Sequence, residues 1–246
     1  MTHLSLEVVL ELQKVPALAI WDRLYSSHRS YLDGIGEVDF GGKFCRARDV
    51  AKRIERSDRP HFSVVWSDDQ RLEYGHITNC DLSLVRIVGC VRPEENAEEW
   101  LAPFLGLEEF RQARLLDEEY DFWQNAADPL QYETRGRSYE GLPMKSNGLP
   151  PPLEQMIIDT SRNPGRRIIR RGFIEAVGSL MWLGGAFWQI TGADQKILCS
   201  QKWLRCDAWL EGVIRIRAAE TPFTTSDGSV GELQEQLRKL LYTKVS

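Results

Sequence analysis

The stretch AVGSLMWLGGAFWQITGA, residues 176–193, carries no charged side chain. It holds Trp182 and Trp188, with glycines at Gly178, Gly184, Gly185 and Gly192. Three readings compete for it: a membrane span, a cofactor pocket and the inside of a soluble domain. A spanning helix needs about 20 mostly apolar residues. Gly184 and Gly185 would break that helix in its middle, and Ser179, Gln189 and Thr191 dilute it. The preferred reading is packed core. A buried helix from about residue 167 to 183 stops at Gly-Gly, and a short second turn closes at Gly192. Trp182, Phe187, Trp188 and, further on, Trp203 are therefore expected inside.

The totals agree with a globular domain. The chain has 246 residues, 42% hydrophobic and 27% charged, and a length that buries most of its unfolded surface without staples. Eight tryptophans suit cores and protein interfaces. The formal net charge of −5 argues against a general nucleic-acid binder and is compatible with a basic partner. Five cysteines, with no CxxC, fit neither a disulfide framework nor a zinc site, so a reducing compartment is expected. The start MTHLSLEVVLELQK lacks the pattern of a secretory signal, which points to the cytoplasm.

Outward from the tryptophan segment, the pattern is mixed. Leu4, Leu6, Val8, Leu10 and Leu12 alternate with Ser5, Glu7 and Glu11, which predicts a strand. Pro16 opens a helix with apolar residues from Leu18 to Leu32, ended by Asp33-Gly34, and residues 46–58 read as a charged surface helix. HFSVVWSDDQRLEYGHI predicts two strands around residues 67–70, and LSLVRIVGCV a third, together a meander. Residues 203–218 predict a hairpin turning near Glu211-Gly212. A last helix over about 229–242 has its acids early and its bases late. The class is α+β: antiparallel sheets with helices packed on them, with room for two distantly similar halves. The expected organisation is an N-terminal half (1–92), an acidic, aromatic-containing insertion with a Pro/Gly linker (93–152) and a C-terminal half (153–246), all within reach of one compact domain.

The insertion is the unusual part. Residues 93–140 hold thirteen acids against four arginines, a net of −9, with aromatics interleaved. The Glu-Glu doublets read either as solvated helix faces or as a docking surface in which aromatic anchors sit inside a charged rim. On the docking reading the candidates are Glu94, Glu95, Glu98, Glu99, Glu108, Glu109, Asp117, Glu118, Glu119 and Asp121, with Trp100 and Trp123 as anchors. GLPMKSNGLPPP (141–152) follows as a linker, its prolines and glycines opposing helix or strand. Arg162, Arg166, Arg167, Arg170 and Arg171 then pair with the acidic segment, start a solvated helix or contact an anion or partner.

Signatures of chemistry are sparse. GxGxxG, GxxxxGK[ST], HExxH and GxSxG do not occur. DGIGEVDFGG reads as a loop. The DxK at Asp194–Lys196 lacks the preceding acid of a restriction-type metal site. His61, His76 and Cys90 are ordinary half-buried sheet residues or, on the rival reading, a nucleophile and its base. Paired carboxylates are a second form of that enzyme alternative. No cofactor or metal is expected.

Residues 168–223 resemble the immunity protein 52 family of bacterial polymorphic-toxin systems. The resemblance rests on the Val-Gly-x-x-Met-Trp-Leu run (177–183), the Phe-Trp-x-x-Thr-Gly-Ala segment (187–193), Trp203-Leu204, and the closing Ile-Arg-x-Arg-Ala strand with Pro222-Phe223. Residues 92–166 map onto no family pattern. The resemblance implies a non-enzymatic, cytoplasmic inhibitor that binds a cognate toxin effector. In that family the toxin is often a nuclease of restriction-endonuclease type delivered by type VI secretion. Direct nucleic-acid binding and membrane binding are not implied. The expected mechanism is occlusion of the toxin's basic surface by the acidic, aromatic face. The alternatives are a cytoplasmic enzyme with a cryptic carboxylate or Cys/His site, and a general protein–protein adaptor.

Overall fold

The computed structural model describes residues 3–12, 14–57, 61–91, 96–210 and 212–243. β1 (Leu4–Glu11) leads into α1 (Ala17–Ser27) and α2 (Arg29–Ile35). β2 (Glu37–Phe40) and β3 (Phe44–Arg46) form a hairpin ahead of α3 (Val50–Glu55). β4 (Phe62–Ser67), β5 (Gln70–Ile77) and β6 (Leu82–Val88) are the expected meander. α4 (Ala97–Leu105), β7 (Phe110–Asp117), α5 (Glu118–Asn125) and α6 (Pro129–Glu133) come next. Three short pairs of elements lie between there and the tryptophan segment's end: β8 (Met144–Ser146) with β9 (Met156–Ile158), β10 (Ile168–Arg170) with β11 (Phe173–Glu175), and β12 (Leu180–Leu183) with α7 (Gly185–Thr191). α8 (Gln195–Cys199), β13 (Arg205–Leu210), β14 (Val213–Arg217) and α9 (Gly228–Leu241) complete the order.

Among the described residues, ten strands join one antiparallel sheet in the order β13-β14-β12-β7-β1-β6-β5-β4-β2-β3. The fold is α+β, as the alternating strands and amphipathic helices require. Strand β1 sits mid-sheet between β6 and β7. Its Leu6, Val8 and Leu10 face a core shared with Ile20, Trp21 and Leu24 of α1 and Leu101 and Phe104 of α4. The other face carries Val9, under Ile174 and Ala176, and a C-terminal core built from Met181, Leu183, Phe187, Leu237 and Leu241. The first helix breaks at His28 and resumes to Ile35, one residue past the expected Asp33-Gly34 stop. Gly36, at φ 88°, ends it. The surface helix expected over 46–58 is α3 with one 3-10 turn before it, burying Ala47, Val50 and Ile54.

The tryptophan segment is core, but not helix. Residues 167–183 form the β10–β11 hairpin and strand β12, not the expected helix. The cause is burial on both faces. Leu180 and Trp182 point into the α1/α4 core, while Met181 and Leu183 point into the α9 core. A run that is apolar all round reads equally well as a buried helix or a central strand. The glycines set where the strand fits. A Cβ on Gly184 would lie 2.6 Å from the Phe110 carbonyl oxygen, and one on Gly178 would lie 2.9 Å from that of Leu115. Both carbonyls belong to the neighbouring β7, so β12 can approach only between those two positions. Trp182 and Phe187 are fully buried, whereas Trp188 and Trp203 are half-buried against the second core. Among the described residues, no helix is long and apolar enough to cross a membrane.

The polar side of β1 is also buried, and ion pairs make that possible. Glu7 is wholly inaccessible. Its carboxylate accepts from Arg114 of β7 at 2.7 Å and from Arg167 at 2.8 Å. Arg114 reaches on to Asp121 of α5 at 2.9 Å. Burial alone would raise the Glu7 pKa, but the two guanidinium charges outweigh it and hold the carboxyl at about 2. A folded-state pKa below the ordinary value adds stability above the ordinary carboxylate range and loses it as pH falls. Unfolding midpoints should therefore drop between about pH 5 and pH 2, and Glu7→Gln should flatten that dependence. An equal slope in both proteins would contradict the assignment.

Candidate functional site

Strand β7 ends in the residue that starts α5. Asp117 is its N-cap and accepts from the Tyr120 backbone N–H at 2.7 Å. Acids at 118, 119 and 121 then occupy the first turn, where the helix dipole favours them. Asp117 and Asp121 are buried, so neither is a free docking acid. Arg86 pairs with Glu118 at 2.9 Å and lies 3.9 Å from Asp121. Ser5 also donates to Glu118. Asp117, Glu118 and Asp121 thus build the platform rather than a free surface.

The remaining candidates are scattered. Glu98 accepts from Arg215 at 2.5 Å, and Glu99 is exposed beside it on α4. Trp100 is 3% exposed and stacks on His28 with ring centroids 3.8 Å apart, so it is a core residue and not an anchor. Glu108 is exposed and Glu109 half-buried at the start of β7. The strand sets that end roughly 25 Å from α5. Because α4 packs with Leu6 and Val8 while Asp121 shares the Arg114 guanidinium with Glu7, α4 and α5 lie on opposite faces of the sheet. The single acidic face expected from the sequence is therefore not assembled. Glu94 and Glu95 lie outside the described residues.

What is assembled is a lobe. From α5 to β9 the chain folds about a small core of its own, Ala126, Tyr132 and Ile158 with Phe122, Trp123 and Tyr139. Asp128 caps α6 with a capping box. Residues 163–167 tie the lobe down: Gly165 N–H donates to Gln124 at 2.9 Å and Arg167 N–H to Asn125 at 2.6 Å. Tyr120 donates to Gln234 of α9 at 2.8 Å, and burial pushes its phenol up to about 12. Between α5 and residues 224–227 runs an open groove of about 920 Å³. Exposed Glu119 and half-buried Trp123 line it, with Trp123 Nε1 donating to Glu119 at 3.4 Å. Arg137 stacks 4.4 Å from the Trp123 ring and Arg135 3.8 Å from Phe122. Carboxylate, aromatic and guanidinium groups side by side suit recognition of a polypeptide surface.

The residues that sequence reasoning missed are these two arginines and the hairpin beyond them. A net charge count hides them, because an arginine that stacks on an aromatic ring counts only as an offset to the acids. The arginine cluster at 162–171 also differs from expectation. Arg167 pairs with Glu7, Arg170 with Glu175, Arg171 with Asp81 and Arg166 with Glu235, none of them acids of the 93–140 segment. Arg162 is exposed. Asp194 of the DxK caps α8. The Cys/His site does not form. His76 lies beside Tyr74, at 2.8 Å, and opposite Ser83, whereas Cys90 is seven residues further along β6 and its loop, about 20 Å away. Burial pushes the Cys90 thiol up to about 12, away from a thiolate.

The fold resembles that of the Pseudomonas aeruginosa T6SS protein PA0821. The likeness has a TM-score of 0.54 at 13% identity and covers 98% of this chain and 74% of that one. At that identity it shows the shared fold alone. No family model and no curated protein matches the chain.

Proposed function

We propose that this chain is an immunity protein of the immunity protein 52 type, which binds a cognate type VI secretion toxin in the producing cell's cytoplasm and occludes it. The toxin is read as a nuclease of restriction-endonuclease type. Three things support this reading: the motif resemblance over 168–223, the fold shared with a protein named for type VI secretion, and the lobe. The lobe is the main support, because it brings Glu119, Trp123, Arg135 and Arg137 together along one open groove. The ion pairs of Glu7, Arg114 and Asp121 hold the lobe to the sheet. Binding by this surface needs no chemical step. The net charge of −5 draws in a basic partner, and the lobe then covers it.

Co-expression tests the reading. Cells making a type VI secretion nuclease toxin whose gene adjoins that of this chain should survive when the chain is present and die without it. Continued killing at matched expression would defeat the proposal. Charge reversal gives a finer check. Glu119→Lys should slow association with the toxin by about 3–10-fold at low salt, an effect that shrinks as salt rises. Unchanged stopped-flow rates would remove Glu119 from the surface.

A further inference from the structure

The edge of the sheet at β3 carries a charge opposite to that of the chain. Residues 43–56 hold six cations against two acids, a net of +4 in a chain of net −5. Gly41 (φ 61°) and Gly42 (φ 84°) make the tight turn between β2 and β3, and Phe40 and Lys43 close it with backbone bonds in both directions. The turn sets Lys43 at one lip of a groove of about 770 Å³. Arg53 and Arg56 of α3 line the same groove one helical turn apart, and His61 lines it just ahead of β4. Its floor is Phe40 and the buried Phe62, stacked with ring centroids 6.4 Å apart.

These cations are not neutralised from within. Among the described residues no acid lines the groove, and nearby Asp49 is held by Lys52 at 3.6 Å. Arg53 is half-buried and fixed: it donates to the backbone carbonyls of Lys43 at 3.1 Å and Phe44 at 2.8 Å. Carbonyl oxygens set the direction of its charge without cancelling it. The other arginines that are half-buried or buried among the described residues, from Arg71 to Arg238, each pair with a carboxylate. Arg53 is the exception, and exposed Lys43 and Arg56 stand beside it, with no described carboxylate paired to either.

We propose that this groove binds an acidic peptide segment of a partner other than the toxin, with an apolar side chain set among its acids. The cations stand along the groove, from the hairpin turn to successive turns of α3, and do not converge on one point. Carboxylates spaced along an extended chain match that arrangement, since side chains on one face of such a chain recur about every 7 Å. The apolar side chain meets the phenylalanine floor. A nucleic acid matches poorly. The net charge of the chain opposes a phosphate backbone, and Phe62, 6% exposed, offers no ring face on which a base could stack. The proposal is independent of the immunity reading, in which the toxin's surface is basic and meets the lobe.

The test is calorimetric titration of the synthetic peptide acetyl-Glu-Asp-Phe-Asp-Glu-amide into three proteins. These are the wild type, the double reversal Lys43→Glu/Arg56→Glu and the charge-matched control Lys196→Glu/Lys202→Glu on the remote α8 and its loop. All four side chains are exposed, so the three unfolding midpoints should agree. The wild type and the control should bind alike, and the double reversal at least about tenfold more weakly. The neutral isostere acetyl-Gln-Asn-Phe-Asn-Gln-amide should lose about as much on the wild type, and serine in place of phenylalanine about fivefold. Affinity should fall as salt rises from about 0.05 to about 0.5 M. A wild type that gives no binding at millimolar peptide overturns the proposal, as does a double reversal within about threefold of it. An equal loss in the control would reduce the effect to net charge and overturn it too. Tighter binding of a single-stranded oligonucleotide of about ten residues, or a wild-type dimer in sedimentation that the double reversal dissociates, would assign the groove to another occupant and overturn it. None of these results bears on the immunity reading, which co-expression tests separately.

Discussion

Arg114→Ala is expected to destabilise the protein by about 3–5 kcal/mol, seen as a lower urea midpoint with an unchanged slope. Arg114 is 2% exposed and donates to Glu7 and Asp121, both buried. Removing it leaves two carboxylates without their main donor, in a place water does not reach. A buried ion pair is a modest source of stability when intact, because desolvating both charges offsets most of their attraction. Breaking one is costly for the same reason. Replacing Glu7, Arg114 and Asp121 together by apolar or neutral residues of similar size should recover most of the loss. The variant also bears on function. Asp121, with Glu118, joins α5 to the sheet, so the lobe should loosen before the rest unfolds. A loss under about 1 kcal/mol would mean that water already screens the network.

Trp182→Ala should cost about as much, 3–5 kcal/mol on the scale of about 3–5 for a buried tryptophan. The ring is fully buried in β12, facing the core shared by α1 and α4. Deleting it removes the apolar area and leaves a cavity that Ala113 and the flanking strands cannot fill. Trp182→Phe separates the two contributions. The indole N–H finds no hydrogen-bond partner among the described residues, so phenylalanine loses only volume and should cost about 1–2 kcal/mol. A soluble, cooperatively folding alanine variant with a loss under about 1 kcal/mol would contradict the placement of this strand.

These two residues also show what could be read in advance. Strands β1, β4, β5 and β6, the β13–β14 hairpin and helix α9 follow from period and turn chemistry, because each has one dominant buried stripe or a clear turn. Strand β12 does not, because both of its faces are buried and the alternation that marks a strand disappears. The hairpin at 141–158 failed for another reason. Its strands are three residues each, too short for a pattern, and the prolines masked the side-chain bonds of Asn147 that order the loop. In the candidate site, the acidic count was visible but its distribution was not. Asp117 is a cap, Glu118 and Asp121 are claimed by arginines from distant strands, and Trp100 lies under His28. Which charges remain free depends on pairings across the sheet, and composition carries no information about those.

On the proposed immunity reading, the lobe is the surface that a bound toxin covers. Deuterium uptake should be followed along the whole chain, alone and with the inactivated toxin domain bound. Protection is predicted over 118–137 and 141–158, with the β2–β3 edge around the exposed Phe44 unchanged. Protection concentrated at that edge or over Glu99 and Glu108, with the lobe exchanging as freely as before, would contradict it.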